Sequence, residues 1–387
     1  MRGRIIRLIV ICLVFLPLLM WLAWVITPKT KLVAAIIDKT VLTKQGQEHI
    51  SLNWVLNHER FTKTSKDAYD IGHDYYGFFP QPEEKFRIKG LERFSNSQLE
   101  QLSLDADLVY FTDTYGIYNN EWYQHRNVNE RSGMLYGGLS NKDVELLRLM
   151  KEKHKLIIAE FNTIGSPTMS ENRAQFEQMF QLKWTGWTAR YFNNLDIKVN
   201  KEIPQWLIRN YKKSHNNKWP FKKSGIAFVN DNDQVTILEE EVHLTNPLPH
   251  ILSNQYGQEH LSLPEKVKYP FWFDVMELPK GSVNQAVSKF EISANEEGLK
   301  ELKKYGIPST FPAVTMHKGK DYTFYYFSGD FSDNAINITS SYFKGVSFFQ
   351  SFFYSDHDPM ERTSFFWKFY RPMLTDILED YNESLQK

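Results

Sequence analysis

Leu108-Val109-Tyr110-Phe111-Thr112, running straight into Asp113-Thr114-Tyr115-Gly116, decides how this chain is read. An unbroken apolar run of that length suits a strand buried on both faces, the habit of parallel sheets. Two further runs repeat the pattern. Leu32-Val33-Ala34-Ala35-Ile36-Ile37 ends in Asp38-Lys39-Thr40, and Leu156-Ile157-Ile158-Ala159 ends in Glu160-Phe161-Asn162. Helical signals lie between and after them. His49 to Arg60 carries Leu52, Val55 and Leu56 at helical spacing. Ser140-x-x-Asp143 is a capping-box signal ahead of Val144, Leu147 and Met150, and Ser170 heads a segment with Phe176, Met179 and Phe180. Strand and helix therefore alternate through the first half. The pattern predicts an α/β fold with a mostly parallel sheet and helices on both faces.

The second half changes character. Ile226 to Val229 and Val235 to Leu238 flank the polar turn Asn230-Asp231-Asn232-Asp233 and predict a hairpin. Phe271 to Leu278, Pro312 to Met316 and Tyr322 to Phe327 read as strands. Val283 to Ile292 fits helix and strand equally. A closing helix is expected from about Phe365 to Tyr381, with Pro372 in its first turns or at a kink. Phe343 to Tyr354 is the most apolar stretch of the body, with a core helix as its default and an exposed docking patch as the alternative.

The N-terminus adds a different signal. Leu8 to Ile26 is about 19 residues without a charge, long enough at about 1.5 Å per residue to cross a bilayer core. Arg2, Arg4 and Arg7 precede it, Lys29 and Lys31 follow it, and Trp21 and Trp24 sit where interfacial anchors belong. No small-x-small cleavage site follows it. The expectation is a cytoplasmic stub and single-pass signal anchor over residues 1–30. An extracytoplasmic body over 31–387 follows, with a β-rich insertion at about 200–280. Partners expected on this basis are the membrane through Leu8–Ile26, a glycan ligand and a membrane protein.

Composition removes several chemistries. Cys12 is the only cysteine and lies inside that apolar segment, so the body holds no disulfide, no cysteine metal site and no thiol nucleophile. Lys+Arg 46 balance Asp+Glu 46, and no basic run appears, so nucleic acid is not an expected partner. No P-loop, GxGxxG, GxSxG or HExxH pattern occurs, so no cofactor and no metal site is expected.

The order of elements resembles the class I glutamine amidotransferase-like superfold, in its non-amidotransferase branches: trehalose-utilisation-type proteins and the middle domain of some β-galactosidases. Three stretches carry the resemblance. They are Asp105 to Tyr110 followed by Leu139-Ser140 and a helix, Leu156 to Gly165, and Phe311 to Val314 with Tyr325 to Asp330. An amidotransferase needs a cysteine at the turn after the third strand. Glu160-Phe161-Asn162-Thr163 stands there instead, so the resemblance implies a fold and no glutaminase activity.

Candidate site residues follow from the parallel sheet, where ligands gather beyond the carboxyl ends of strands. Asp38, Asp113 and Glu160 end the three strands, and neighbouring strands are about 4.8 Å apart, so these carboxylates can converge. Asp330, in Gly329-Asp330-Phe331-Ser332-Asp333-Asn334, is the fourth catalytic candidate. Lys39, Thr114, Tyr115, Asn162 and Asp333 are candidate ligand contacts at the same edge; helix capping and loop closure are the competing roles. Trp187 and Arg190, in Lys183 to Phe192, suit a stacked sugar and an anionic group, or else a strand with its rings in the core.

Function stays divided at this level. The leading expectation is a membrane-anchored, extracytoplasmic ligand-binding or accessory protein of cell-envelope or exported polysaccharide metabolism. The alternative is a carboxylate-dependent hydrolase, metal-assisted or not, acting on glycans. A scaffold for a membrane partner is the third. The hydrolase needs two carboxylates within about 5–10 Å of each other beside a cleft. The binding protein needs a cleft lined by Trp187, Tyr115 or Arg190, and the scaffold needs an exposed apolar patch near Phe343 to Tyr354.

Overall fold

The computed structural model describes residues 15–123, 132–355 and 357–386. Its centre is a sheet of ten strands. In order across the sheet they are Lys266–Lys268, His250–Ser253, Gln285–Glu291, Thr310–Lys318, Thr323–Phe327, Leu156–Glu160, Leu108–Asp113, Ala34–Asp38, Tyr76–Pro80 and Phe86–Lys89. The three apolar runs lie side by side and parallel, joined to Thr323–Phe327 on one side and Tyr76–Pro80 on the other. The remaining five pairings are antiparallel. The expectation of a mostly parallel sheet is therefore corrected: this is a mixed sheet. A short hairpin joins Thr310–Lys318 to Thr323–Phe327, which makes that pair antiparallel; two of the links before it carry the helices Gln255–His260 and Glu296–Lys304 and still return their strands antiparallel.

Alternation along the parallel strands divides the core. Ile36, Tyr110 and Ile158 face one layer, where Leu52, Val55, Phe369, Met373 and Ile377 of two helical segments cover them. Ala35, Ile37, Val109, Phe111, Ile157 and Ala159 face the other, under Leu99, Val144, Leu147, Met150 and Phe176. Every residue of Leu108–Asp113 and of Leu156–Glu160 is buried, as a strand covered on both faces must be. Ser140 caps Asn141–Glu152 through Asp143 N, completing the capping box.

A second sheet is antiparallel throughout and runs Val235–Glu239, Gly225–Asn230, Lys183–Phe192, Phe273–Glu277. The ambiguous segment is the strand Gln285–Glu291. The C-terminal segment is helical in three parts: Thr363–Phe365, a π-helical turn Phe366–Tyr370, and Arg371–Leu385. Pro372 sits in the first turn of the last part, where its missing N–H is no loss. Phe343 to Tyr354 holds no buried core helix. It holds the 3₁₀ helix Val346–Phe352, with Phe348 88% and Phe352 82% exposed.

The membrane expectation is also corrected. Residues 8–14 of the apolar stretch lie outside the described residues. Residues 15–26 are helical. Among the described residues no helix is long and apolar enough to cross a membrane. The transmembrane anchor, the single-pass topology and the extracytoplasmic address are withdrawn on that finding. Trp24 is not an interfacial anchor here. Its Nε1 donates to Asn57 O at 2.9 Å, Arg60 lies 3.9 Å over its ring, and Tyr342 meets it edge-on. Lys344 N donates to Met20 O at 3.1 Å, so the helix is tied to the body at Met20 as well as at Trp24.

Candidate functional site: an acidic edge on the central sheet

A single bulge sets the site. Ala34 to Ile37 pair in step with Leu108 to Phe111, but Asp38 pairs with Asp113 rather than with Thr112. Thr112 is the extra residue, and its Oγ1 donates to Ile37 O at 3.2 Å. Directly paired residues on parallel strands point to the same face, so the bulge turns Asp113 to the side of Asp38. Glu160 reaches that face too, two residues after Ile158.

Thr40 joins the first two carboxylates. Its N–H donates to Asp38 Oδ1 at 3.0 Å, and its hydroxyl donates to Asp113 Oδ1 at 2.7 Å. Asp38 Oδ2 pairs with His49 Nδ1. The second ring nitrogen of His49 donates to Ile71 O at 2.8 Å, so both nitrogens are engaged and neither is left to act as a base. Among the described residues Asp113 has only neutral donors: Thr40, Tyr115 N and, at 3.2 Å, Asn162 Nδ2. Burial, with the nearby Asp330 and Asp38 charges, holds the Asp113 carboxyl well above the usual carboxylate range. Asn162 takes a left-handed backbone (φ 63°), which asparagine tolerates, and its carbonyl accepts from Thr114 Oγ1 at 2.9 Å.

Glu160 is fully enclosed and saturated. Tyr110 OH donates to Oε1, and the N–H groups of Phe331 and Ser332 donate to Oε2, both at 2.9 Å. Burial raises its carboxyl as well. Glu160 fastens the Gly329–Asn334 loop onto the sheet and has little left to offer a ligand.

That loop delivers Asp330 and Asp333. Arg362 clamps them, Nη2 donating to Asp330 Oδ2 at 2.8 Å and Nη1 to Asp333 Oδ2 at 2.7 Å. The carboxyl of Asp330 is pushed up to about 6 by burial, against the pull of Arg362. Beside it Asp274 is pushed up to about 7, chiefly by burial; it accepts from Thr188 Oγ1 at 2.8 Å.

The other candidates are placed elsewhere. Lys39 points to the opposite face from Asp38, one residue on, as strand alternation requires. There it binds Glu92, Asp143 and, at 3.0 Å, the Gly138 carbonyl. Trp187 is 5% exposed and packs on Tyr305 in the main core. Arg190 turns to the other side of its strand, against Phe192, Trp272 and Glu202, yet close enough to feel Asp330 and Arg362. Tyr115 is exposed beside Asp113 and leans on Tyr118.

Thr40, Glu48, His49, Asp274 and Arg362 are site residues that strand-end reasoning passes over. Glu48 and His49 had a usable signal, since they open the helix after the first strand at the same sheet edge. Arg362 had only an indirect one: two aspartates in one buried loop call for a cation.

Two surface cavities, about 340 and 250 Å³, adjoin this edge and share Asp70 and Ile71. None of the edge carboxylates lines either one. The larger lies behind His49, whose ring rests 4.8 Å from Tyr75 in the cavity wall.

No family model matches the chain, and no curated protein matches it. Among solved structures, a putative ThuA-like protein from Bacteroides uniformis is 8% identical with a TM-score of 0.35, over 82% of this chain and 89% of that one. A second, from Parabacteroides merdae, is 10% identical at TM-score 0.35, over 77% and 79%. The cold-adapted β-galactosidase from Rahnella sp. R3 is 9% identical at TM-score 0.29; 71% of this chain is covered but only 23% of that enzyme. The likeness to ThuA-like proteins bears on the suspected fold alone.

Proposed function

We propose that this chain is a carboxylate-dependent hydrolase acting on a glycan, with Asp113 and Asp38 as its working pair. The carrying observation is that two carboxylates on adjacent strands, bridged by Thr40, sit in unlike surroundings. Asp38 is ion-paired to a histidine, whereas Asp113 is buried among neutral donors that bring no counter-charge, and burial moves its carboxyl up. Two carboxyls in surroundings this unlike can divide the work of acid and base. Asp113 gives a proton to the leaving oxygen as the glycosidic C–O bond breaks, and Asp38 takes a proton from the water whose oxygen bonds to the anomeric carbon. Glycosidic bonds are broken by such pairs, and the exposed Tyr115 ring beside Asp113, with the half-buried Tyr118 against it, offers a stacking surface. Several structural neighbours are themselves named as carbohydrate enzymes, β-galactosidases and a carbohydrate deacetylase. That decides which substrates to try first and nothing more.

The test is to incubate the purified chain with a panel of oligosaccharides and separate the products. Fragmentation that Asp113→Asn abolishes supports the proposal. Fragmentation unaffected by Asp113→Asn and Asp38→Asn sinks it.

One observation favours a second reading, a scaffold that docks another protein. Phe348 and Phe352 stand exposed, as such a surface needs. Sedimentation of the wild type against Phe348→Ser/Phe352→Ser tests whether this patch drives association; identical, concentration-independent sedimentation of both removes the reading for a second copy.

A further inference from the structure

A second group of acids lies at the same edge and has no part in the hydrolysis proposed above. Glu48, Asp330 and Asp333 each bring a carboxylate oxygen within 4.8 Å of the other two. Oxygens on opposite sides of one Ca²⁺ are about 5 Å apart, since each lies about 2.3–2.6 Å from the ion; Mg²⁺ draws them somewhat closer. The spacing is therefore that of oxygens sharing a cation.

Charge tells the same story. Arg362 gives one positive charge to Asp330 and Asp333. Glu48 stands beside them in a largely enclosed place, its carboxyl raised by burial and then by the Asp333 and Asp330 charges, and like charges crowded in this way favour a counter-charge. Glu48 is held there by its own backbone, whose carbonyl accepts from Ser332 Oγ at 2.6 Å.

A separate observation points to a ligand. Asp330 is 9% exposed, and its Oδ1 is buried with no hydrogen-bond partner among the described residues. Buried carboxylate oxygens ordinarily have one. With Oδ2 held by Arg362, Oδ1 is the oxygen Asp330 has left to offer this group.

We propose that Glu48, Asp330 and Asp333 form a binding site for a hard divalent cation, of the Ca²⁺, Mg²⁺ or Mn²⁺ class. Every donor is a carboxylate oxygen, with no histidine or cysteine in the set, and that donor chemistry selects hard ions over Zn²⁺ or Cu²⁺. Arg362 is a positioning residue: it donates to Asp330 Oδ2 and Asp333 Oδ2 and so holds both aspartates in the group.

The experiment is thermal unfolding of the full chain after EDTA treatment, with CaCl₂, MgCl₂ and MnCl₂ added separately at millimolar concentration. A cation bound only by the folded state raises the midpoint by mass action. At least one of the three salts is expected to raise it by a few degrees over a NaCl control of equal ionic strength. Glu48→Gln and Asp333→Asn are expected to lose that rise. In EDTA, Glu48→Gln should melt at or above the wild type, because it removes a like charge; this shows that the variant is folded. The proposal is overturned if no salt moves the wild-type midpoint, or if Glu48→Gln keeps the full response. Neither result depends on glycan cleavage, so this site and the hydrolase stand or fall separately.

Discussion

Asp38 and Lys39 are neighbours in sequence, equally buried, and belong to opposite kinds of polar cluster. On one face of the sheet Lys39 is closed in by Glu92, Asp143 and the Gly138 carbonyl, so a buried cation meets acids and a capping carbonyl. The same acids raise the Lys39 ammonium pKa despite its burial. On the other face Asp38, Asp113, Glu48, Asp330 and Asp333 gather around Arg362 and His49, with negative charge in excess. Burial alone does not separate a structural cluster from a working one. The balance of charge does, because a closed ion cluster holds the fold and an open one holds something else.

The sharpest way to break this comparison is Lys39→Met. It leaves Asp143 and Glu92 without their cation, and removing one partner of a buried pair destabilises by about 3–5 kcal/mol. Chemical denaturation measures it; a loss below about 1 kcal/mol would mean the closed cluster is not closed. On the open face Asp113→Asn should do the reverse. Hydrolysis falls by about 10²- to 10⁴-fold, the usual share of a positioned acid, while the denaturation midpoint holds or rises. A parallel loss of stability would make Asp113 a structural acid like Asp143.

A third test uses pH. The carboxyl of Asp274 is held at about 7, above its value in the unfolded chain of about 3.9. Between those values the folded state binds the proton that the unfolded state has released. Stability is therefore fully present below about pH 4 and declines as pH rises toward 7. Asp274→Asn should flatten that decline, seen as a smaller difference in midpoint between pH 4.5 and pH 7.5. An unchanged slope would place the titration elsewhere. The smallest effect is expected for Glu48→Gln without divalent ions: a gain of up to about 1 kcal/mol from relieved repulsion, read in the same denaturation series.

Much of this frame is written locally in the chain. Leu108 to Thr112 and Leu156 to Ala159 announce buried strands by composition alone, and Ser140 with Asp143 announces a helix start. The site is only half written there. Strand ends mark Asp38, Asp113 and Glu160 as edge residues. Whether Asp113 faces Asp38 depends on the bulge at Thr112, a property of two paired strands that neither segment encodes alone. Asp143 reads as a cap and is also the partner of Lys39, a second role that only the packed sheet reveals. Arg362 and Asp274 reach the edge by tertiary folding and carry no local mark. In the N-terminal apolar run, Trp24 reads as an interfacial anchor by position, yet it docks on Asn57 and Tyr342, a contact that its own segment does not encode. Trp187 likewise meets the demand of its ring inside the core.

The strand Thr323–Phe327 is parallel to Leu156–Glu160 and antiparallel to Thr310–Lys318. It is the hinge between the two halves of the sheet, and it is made after the three parallel strands it joins. Asp38 leaves the ribosome before the loop with Asp330, and Arg362 later still. During synthesis the early strands therefore wait with one edge uncovered, a hazard for any chain of this topology. A product cut short before that loop would carry the Asp38–Asp113 pair on an unfinished sheet, with no Arg362 to organise its acids. The acidic edge is in this sense assembled in the order of synthesis: it is complete only once Arg362 has been made.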